Sequence, residues 1–275
     1  MKNTLLIRTV VALLLLPIGL AVIALGGVTF ALVIALILGI ASYEFTKLFE
    51  AAGHQPALYL VIPGTLLIVA GRYLDGFSSA GWIISLILLV LMTFHLVSYE
   101  RGRDRAASDY AISVSAIFYV GWLGAYLVSI REMQDGFWWL LIVLPSVWLA
   151  DSGAYLVGSK IGRHRMSPRL SPKKTWEGYW GGVVVGTIGA VLLAYFWRQL
   201  AGESSAITPL RGAILGLTIS VLTTLGDLGE SMLKRNVGAK DSGHLLPGHG
   251  GALDRIDSWL WAGPLGYYLI CYLFQ

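Results

Sequence analysis

Asp227, Glu230, Ser231 and Lys234 follow an i, i+3, i+4, i+7 rhythm, which on a helix lines two carboxylates, a hydroxyl and an ammonium along one face. Glycines at 238, 243, 248, 250 and 251 come next, with Lys240, Asp241, His244 and His249 among them, and Asp254, Arg255 and Asp257 open the following apolar stretch. A glycine-rich turn lets backbone amides approach an anion without Cβ obstruction. Carboxylates on either side of it, at Asp227 and Asp254, suit a magnesium-type cation, which takes oxygen donors and shares them with phosphates; zinc prefers His and Cys sets. Two plainer uses stand beside this one. Glu230 and Lys234 could satisfy each other as an ion pair, and Asp257 could cap a helix. In either case Asp227 needs a partner, and a lysine or a metal ion held by the same polar segment would supply it.

A second polar segment carries Asp151, Tyr155, Gly158, Lys160, Arg163 and Arg165, then Ser171, Pro172, Lys173, Lys174, Thr175 and Glu177. Ser171 or Thr175 suits an N-cap and Pro172 a first helical turn, so a helix is expected to begin there. A helix amino terminus flanked by two lysines attracts anions. The plainer use of those cations is to anchor the chain at lipid headgroups, a role in which Asp151, expected at the end of a hydrophobic span, has no part.

These residues sit in a chain of 275 residues that is 56% hydrophobic and only 13% charged, with a mean hydropathy of +0.70. Runs such as 5–49 and 82–97 exceed what a soluble core buries, and they are continuously apolar rather than alternating, which excludes a β-barrel. The reading is an all-α, polytopic membrane protein with about nine spans, near 9–25, 28–49, 57–74, 81–98, 109–130, 137–158, 177–198, 209–233 and 256–273. Only Gly26 and Gly27 separate the first two, so one long helix competes there. Residues 1–130 read as a scaffold in which Glu44, Lys47 and Glu50 form an interfacial helix end and 100–105 a solvated loop; residues 131–275 carry the chemistry, in the polar segments 151–178 and 227–258. With the amino terminus in the cytoplasm, sixteen of the 20 Lys and Arg fall on the inner side and Arg72, Arg131, Arg198 and Arg211 on the outer. Gly178, Gly182 and Gly186 recur every four residues, a stripe for close helix packing within the chain or across a dimer. A lone cysteine, Cys271, excludes a disulfide framework, and the net charge of +4 is explained by inner loops without nucleic acid.

The run Ser231, Leu233, Lys234, Arg235, Lys240, Asp241, Gly243, Leu246, Pro247, His249, Gly250, Gly251, Asp254, Arg255 and Asp257 closely resembles the signature of the phosphatidate cytidylyltransferases, or CDP-diacylglycerol synthases. Asp151, Ser152, Ala154 and Tyr155, Gly162 and Arg163, and the stretch from Ser171 to Gly178 resemble that family's second block. Ala252 departs from it, standing where a larger aliphatic residue is usual. The resemblance implies that CTP and phosphatidic acid give CDP-diacylglycerol and pyrophosphate at the cytoplasmic face of a bacterial inner membrane. It further implies Mg2+ on Asp227 and Asp254, a monovalent cation such as K+ beside it, and a homodimer.

On that reading Ser231, Lys234 and Arg235 join the two aspartates in catalysis. Asp151, Ser171, Lys173, Lys174, Thr175, Lys240, Asp241, His249, Gly250, Gly251, Arg255 and Asp257 serve substrate and phosphate binding. A CTP-dependent kinase of lipid alcohols is the near rival, since it would use the same nucleotide. An ion-coupled transporter is the distant one, because it needs broken helices at mid-membrane in related halves, whereas these charges cluster in one half of the chain.

Overall fold

The structure is a computed structural model that describes residues 16–243 and 250–274. His244, Pro247 and His249, and the first part of the first expected span, lie outside the described residues. Among the described residues the regular elements are helices but for one small hairpin: α1 (Leu16–Leu25), α2 (Gly27–Glu50), α3 (Leu58–Asp75), α4 (Ala80–Glu100), α5 (Ala106–Ala116), α6 (Tyr126–Glu132), α7 (Gly136–Ile161), β1 (Arg165–Ser167), β2 (Ser171–Thr175), α8 (Trp176–Ala201), α9 (Pro209–Leu222), α10 (Thr224–Asn236), α11 (Leu253–Ile256) and α12 (Trp259–Leu269).

Among the described residues seven helical stretches are long and apolar enough to cross a membrane, so the expected count of nine is not reached. The seven are the second to eighth expected spans. The first appears as the 10 residues of α1. The ninth starts three residues later than expected: the single turn α11 precedes it, and α12 runs 11 residues from Trp259 and continues into a π-helical turn at Ile270–Phe274, too short to count among the seven. Gly26 and Gly27, at φ +61° and +50°, break the first two helices apart, a conformation that glycine adopts without Cβ strain.

The chain folds as two compact units. One comprises the chain up to Ser129 together with Lys234–Ile256. Its core is a stripe on α2, with Phe30, Ile34, Leu38, Ala41, Phe45 and Leu48 all buried, the three-and-four spacing of an amphipathic face. Ser42 Oγ and Thr65 Oγ1, 3.0 Å apart, join α2 to α3. Arg103 is not merely solvated as expected: its Nε donates to the buried Asp109 at 2.8 Å, which also accepts the Gln55 amide at 3.0 Å. Arg72 is buried against the rings of Phe77, Trp122 and Tyr126, with centroids 3.5, 4.4 and 4.7 Å from its guanidinium carbon.

The other unit comprises Ile130–Leu233 and the chain from Asp257 onward. Here the glycine stripe of α8 packs within the chain. A Cβ at Gly182 would stand 2.6 Å from the Ala150 carbonyl oxygen on α7, one at Gly178 2.8 Å from that of Ala154, and one at Gly186 3.0 Å from the Ala150 Cβ. α9 approaches α8 in the same way, its Gly212 facing the Ala190 carbonyl. In lipid, where apolar contact with a neighbouring helix is worth little more than contact with a tail, such close backbone approach is what holds helices together. Gly182→Val is therefore expected to cost about 1–3 kcal/mol, since α7 must move away, whereas Gly81→Ala on α4, with nothing within 4 Å of its added Cβ, gains about 1 kcal/mol of helix propensity. Thermal unfolding in detergent checks both; a Gly182→Val midpoint equal to the unaltered protein's would remove the packing role.

Candidate active site

The polar segment after α7 does not start a helix at Ser171. Ser171–Thr175 is instead a strand paired antiparallel with Arg165–Ser167, with Arg165 opposite Thr175 and Ser167 opposite Ser171. Pro172 fits there because a two-stranded hairpin leaves each strand an unpaired edge. Helix α8 begins at Trp176, and Thr175 is its N-cap, Oγ1 accepting the Gly178 amide at 3.2 Å. Glu177 in the first turn accepts the amides of Arg163 at 3.1 Å and His164 at 3.2 Å, tying the end of α7 to the start of α8.

This hairpin delivers Lys174. Its Nζ lies 2.6 Å from Asp227 Oδ2, and both side chains keep partial exposure, 26% and 35%. Asp227 was expected to find its partner within its own polar segment, and it finds it instead in the other one. Ser231 Oγ, one turn along α10, is 3.4 Å from Asp227 Oδ1, so the i, i+4 pair faces one way as the spacing predicts. Lys173 is exposed on the strand. Asp151 is an exposed residue of α7, which continues to Ile161, so it is not at the end of its span. Gly226, just before Asp227, sits where a Cβ would stand 2.7 Å from the Asp257 carbonyl oxygen. Asp257 Oδ1 accepts the Ser258 amide at 2.6 Å, and Ser258 precedes α12 without capping it through its side chain.

Asp254 occupies the other unit. Its Oδ1 is 2.5 Å from Lys234 Nζ, with side chains only 7% and 11% exposed. Its Oδ2 accepts the Ser242 and Gly251 amides at 2.9 and 2.8 Å and lies 2.9 Å from Ser242 Oγ. Burial alone would raise this carboxyl; the Lys234 ammonium and the two amides outweigh it and hold the pKa at about 2. Gly250 turns with φ +81°, and a Cβ there would stand 2.7 Å from Asp254 Oδ2. Ala252 is buried beside the aspartate. Arg235 donates to the Ala239 carbonyl at 2.9 Å, bridging the end of α10, while Lys240, Asp241 and Arg255 are exposed.

A residue taken as a bland helix end belongs to this cluster. Glu44 of α2 is buried, its Oε2 accepts the Leu253 amide at 2.9 Å, and Ser242 Oγ lies 3.3 Å from it. Lys47 pairs with Glu50 at 2.5 Å rather than with Glu44. That mismatch was the available signal: an acid inside an apolar run whose neighbouring cation is already taken. Ser242 was also passed over, lying at one of the unspecified positions of the signature. Among the described residues no group of three or more His, Cys, Asp or Glu side chains could hold a metal, so any cation held here takes part of its oxygen shell from outside these side chains. Asp227 and Asp254 each offer hard carboxylate oxygens of the kind such a cation takes, and among the described residues Asp227 Oδ1 meets Ser231 Oγ at 3.4 Å.

Comparison with known proteins identifies the family. The model of the cytidylyltransferase family matches residues 6–273. A phosphatidate cytidylyltransferase of Synechocystis sp. is 32% identical, with 97% of this chain and 96% of that protein covered. Proteins of the same name are 34% identical in Staphylococcus haemolyticus, covering 94% and 96%, and 38% identical in Bacillus subtilis, covering 71% and 70%. With a match that runs almost end to end and takes in both lysine–carboxylate pairs, this chain belongs to the cytidylyltransferase family.

Proposed function

We propose that this protein transfers the cytidylyl group of CTP to phosphatidic acid, giving CDP-diacylglycerol and pyrophosphate, at the cytoplasmic face of a bacterial inner membrane. The observation that carries the reading is the pair of lysine–carboxylate contacts, Lys174 with Asp227 and Lys234 with Asp254, on the polar segments 151–178 and 227–258. The names of the relatives, phosphatidate cytidylyltransferases, support the substrates.

A phosphate monoester has a second pKa near 6, so the lipid headgroup is largely dianionic at neutral pH and needs no general base. One of its oxygens forms a bond to the α-phosphorus of CTP, and the bond from that phosphorus to the bridging oxygen of the β-phosphate breaks as pyrophosphate leaves. The obstacle is repulsion between two anions, so the chain's contribution is cationic charge and in-line placement. Lys173, Lys174, Lys234, Arg235, Lys240 and Arg255 supply the charge. Asp227 and Asp254 would hold Mg2+, which supplies Lewis-acid polarisation of phosphate oxygens when bound. Each lysine would then have two uses, neutralising its aspartate and meeting a phosphate of bound nucleotide.

Purified protein given phosphatidic acid and CTP labelled at the α-phosphate is expected to put label into lipid, and EDTA to stop it; label in lipid only from the γ-phosphate would make it a kinase. Asp227→Asn and Asp254→Asn are each expected to lower turnover about 100-fold or more while the protein stays folded in detergent, and full turnover by either in Mg2+ removes the metal assignment. With Asp254 held near 2, its ionisation does not limit the rate. The acid limb of kcat/KM for phosphatidic acid should therefore follow the lipid phosphate, near pH 6. Because this carboxyl is depressed from 3.8 to about 2, its contribution to stability is present above pH 4 and is lost only as pH falls towards 2.

A further inference from the structure

Glu44 stands apart from the groups to which the proposed reaction gives a task. It lies six residues before the end of α2, and its side chain is buried. Its carboxylate meets both ends of the polar segment that leads from α10 to α11, Ser242 Oγ at 3.3 Å on one side and the Leu253 amide at 2.9 Å on the other. The contact is close all round. A Cβ at Gly243 would come within 2.6 Å of Glu44 Oε1, and one at Gly251 would collide with Glu44 Oε2 and Ser242 Oγ. Ser242, held by Glu44, is in turn one of the groups that hold Asp254, through its amide and its hydroxyl. Leu253 is the residue next to Asp254, so fixing its amide fixes the start of α11, from which the Asp254 side chain projects. The hydroxyl of Ser242 has a single proton and lies between two carboxylates, so it donates to one at a time and couples their positions.

We infer that Glu44 is a positioning residue: it clamps Ser242 and Leu253 so that the Asp254 carboxylate, and with it the Lys234 ammonium, stands in one orientation. The inference rests on the proposed reaction for its kinetic consequence but not for the clamp itself. Groups that orient a charged or metal-binding side chain cost about 10- to 100-fold in activity or metal affinity when removed. Glu44→Ala removes both acceptor contacts. Glu44→Gln keeps one carbonyl oxygen for the Leu253 amide and should recover much of the loss.

The test uses the full chain in detergent. Glu44→Ala is expected to lower kcat about 10- to 100-fold, to leave the KM for CTP unchanged and to raise the Mg2+ concentration needed for half-maximal rate, with Glu44→Gln between it and the unaltered protein. Ser242→Ala combined with Glu44→Gln should be no slower than the worse single variant, because both act through one contact. In metal-free protein without substrates, hydrogen exchange at the Gly251 and Leu253 amides should be about tenfold faster or more in Glu44→Ala. Wild-type kcat and Mg2+ response in folded Glu44→Ala and Glu44→Gln would overturn the inference. So would multiplying losses in the double variant, or a loss of rate that follows the folded fraction alone. Should the unaltered protein form no CDP-diacylglycerol, the proposed reaction fails, and exchange at Gly251 and Leu253 alone decides whether Glu44 is a clamp.

Discussion

Asp254 is 7% exposed and Lys234 11%, so neither charge can be left to water. Breaking such a buried pair by removing one partner costs about 3–5 kcal/mol. The 2.5 Å contact between them joins the end of α10 to the start of α11, and around it the Ser242 and Gly251 amides and the Ser242 hydroxyl close on the second carboxylate oxygen. Lys234 therefore has to remain on α10 within reach, and Gly251 has to lie alongside Asp254. The chain is arranged to keep a carboxylate ionised in a place that burial would otherwise make hostile to it.

Asp227 is held more loosely, and the difference bears on what each aspartate can do. Its lysine arrives on a hairpin, from a strand whose neighbour Lys173 is exposed, and both members of the pair keep contact with solvent. The hairpin is anchored at its base by Thr175, which caps α8, and by Glu177, which gathers the amides at the end of α7. Below it the glycines of α8 let α7 approach to backbone distance. Those packed helices give the Lys174 strand a fixed root while its side chain stays partly exposed.

The spans were legible because length and continuous apolarity decide them, and the ends of the middle five moved by three residues or fewer. The hairpin was not legible: Ser171, Pro172 and Thr175 satisfy the rules for a helix start, and only Thr175 serves as one. The last expected span begins three residues early, because hydropathy does not register the break between Ile256 and Trp259. Spacing gave the common face of Asp227 and Ser231, a local property. Spacing could not give Lys174, 53 positions from Asp227, nor the 198 positions that separate Glu44 from Ser242. Pairings of that kind are settled by which helices pack, and the sequence states this only through its small residues.

The glycines of the signature illustrate the same point from the other side. In the sequence they suggest a cradle of amides for a phosphate, since absent side chains let backbone approach a ligand. In the structure three of them are required by the protein's own carboxylates. A Cβ at Gly250 would stand 2.7 Å from Asp254, Gly243 faces Glu44, and Gly251 lies between Glu44 and Ser242 while giving its amide to Asp254. Replacing any of them by alanine would press on a carboxylate before it pressed on a substrate. The backbone there is already committed to seating Asp254, so in the proposed reaction recognition of phosphate falls to the lysines and arginines, whose long side chains can reach an anion from outside that seat.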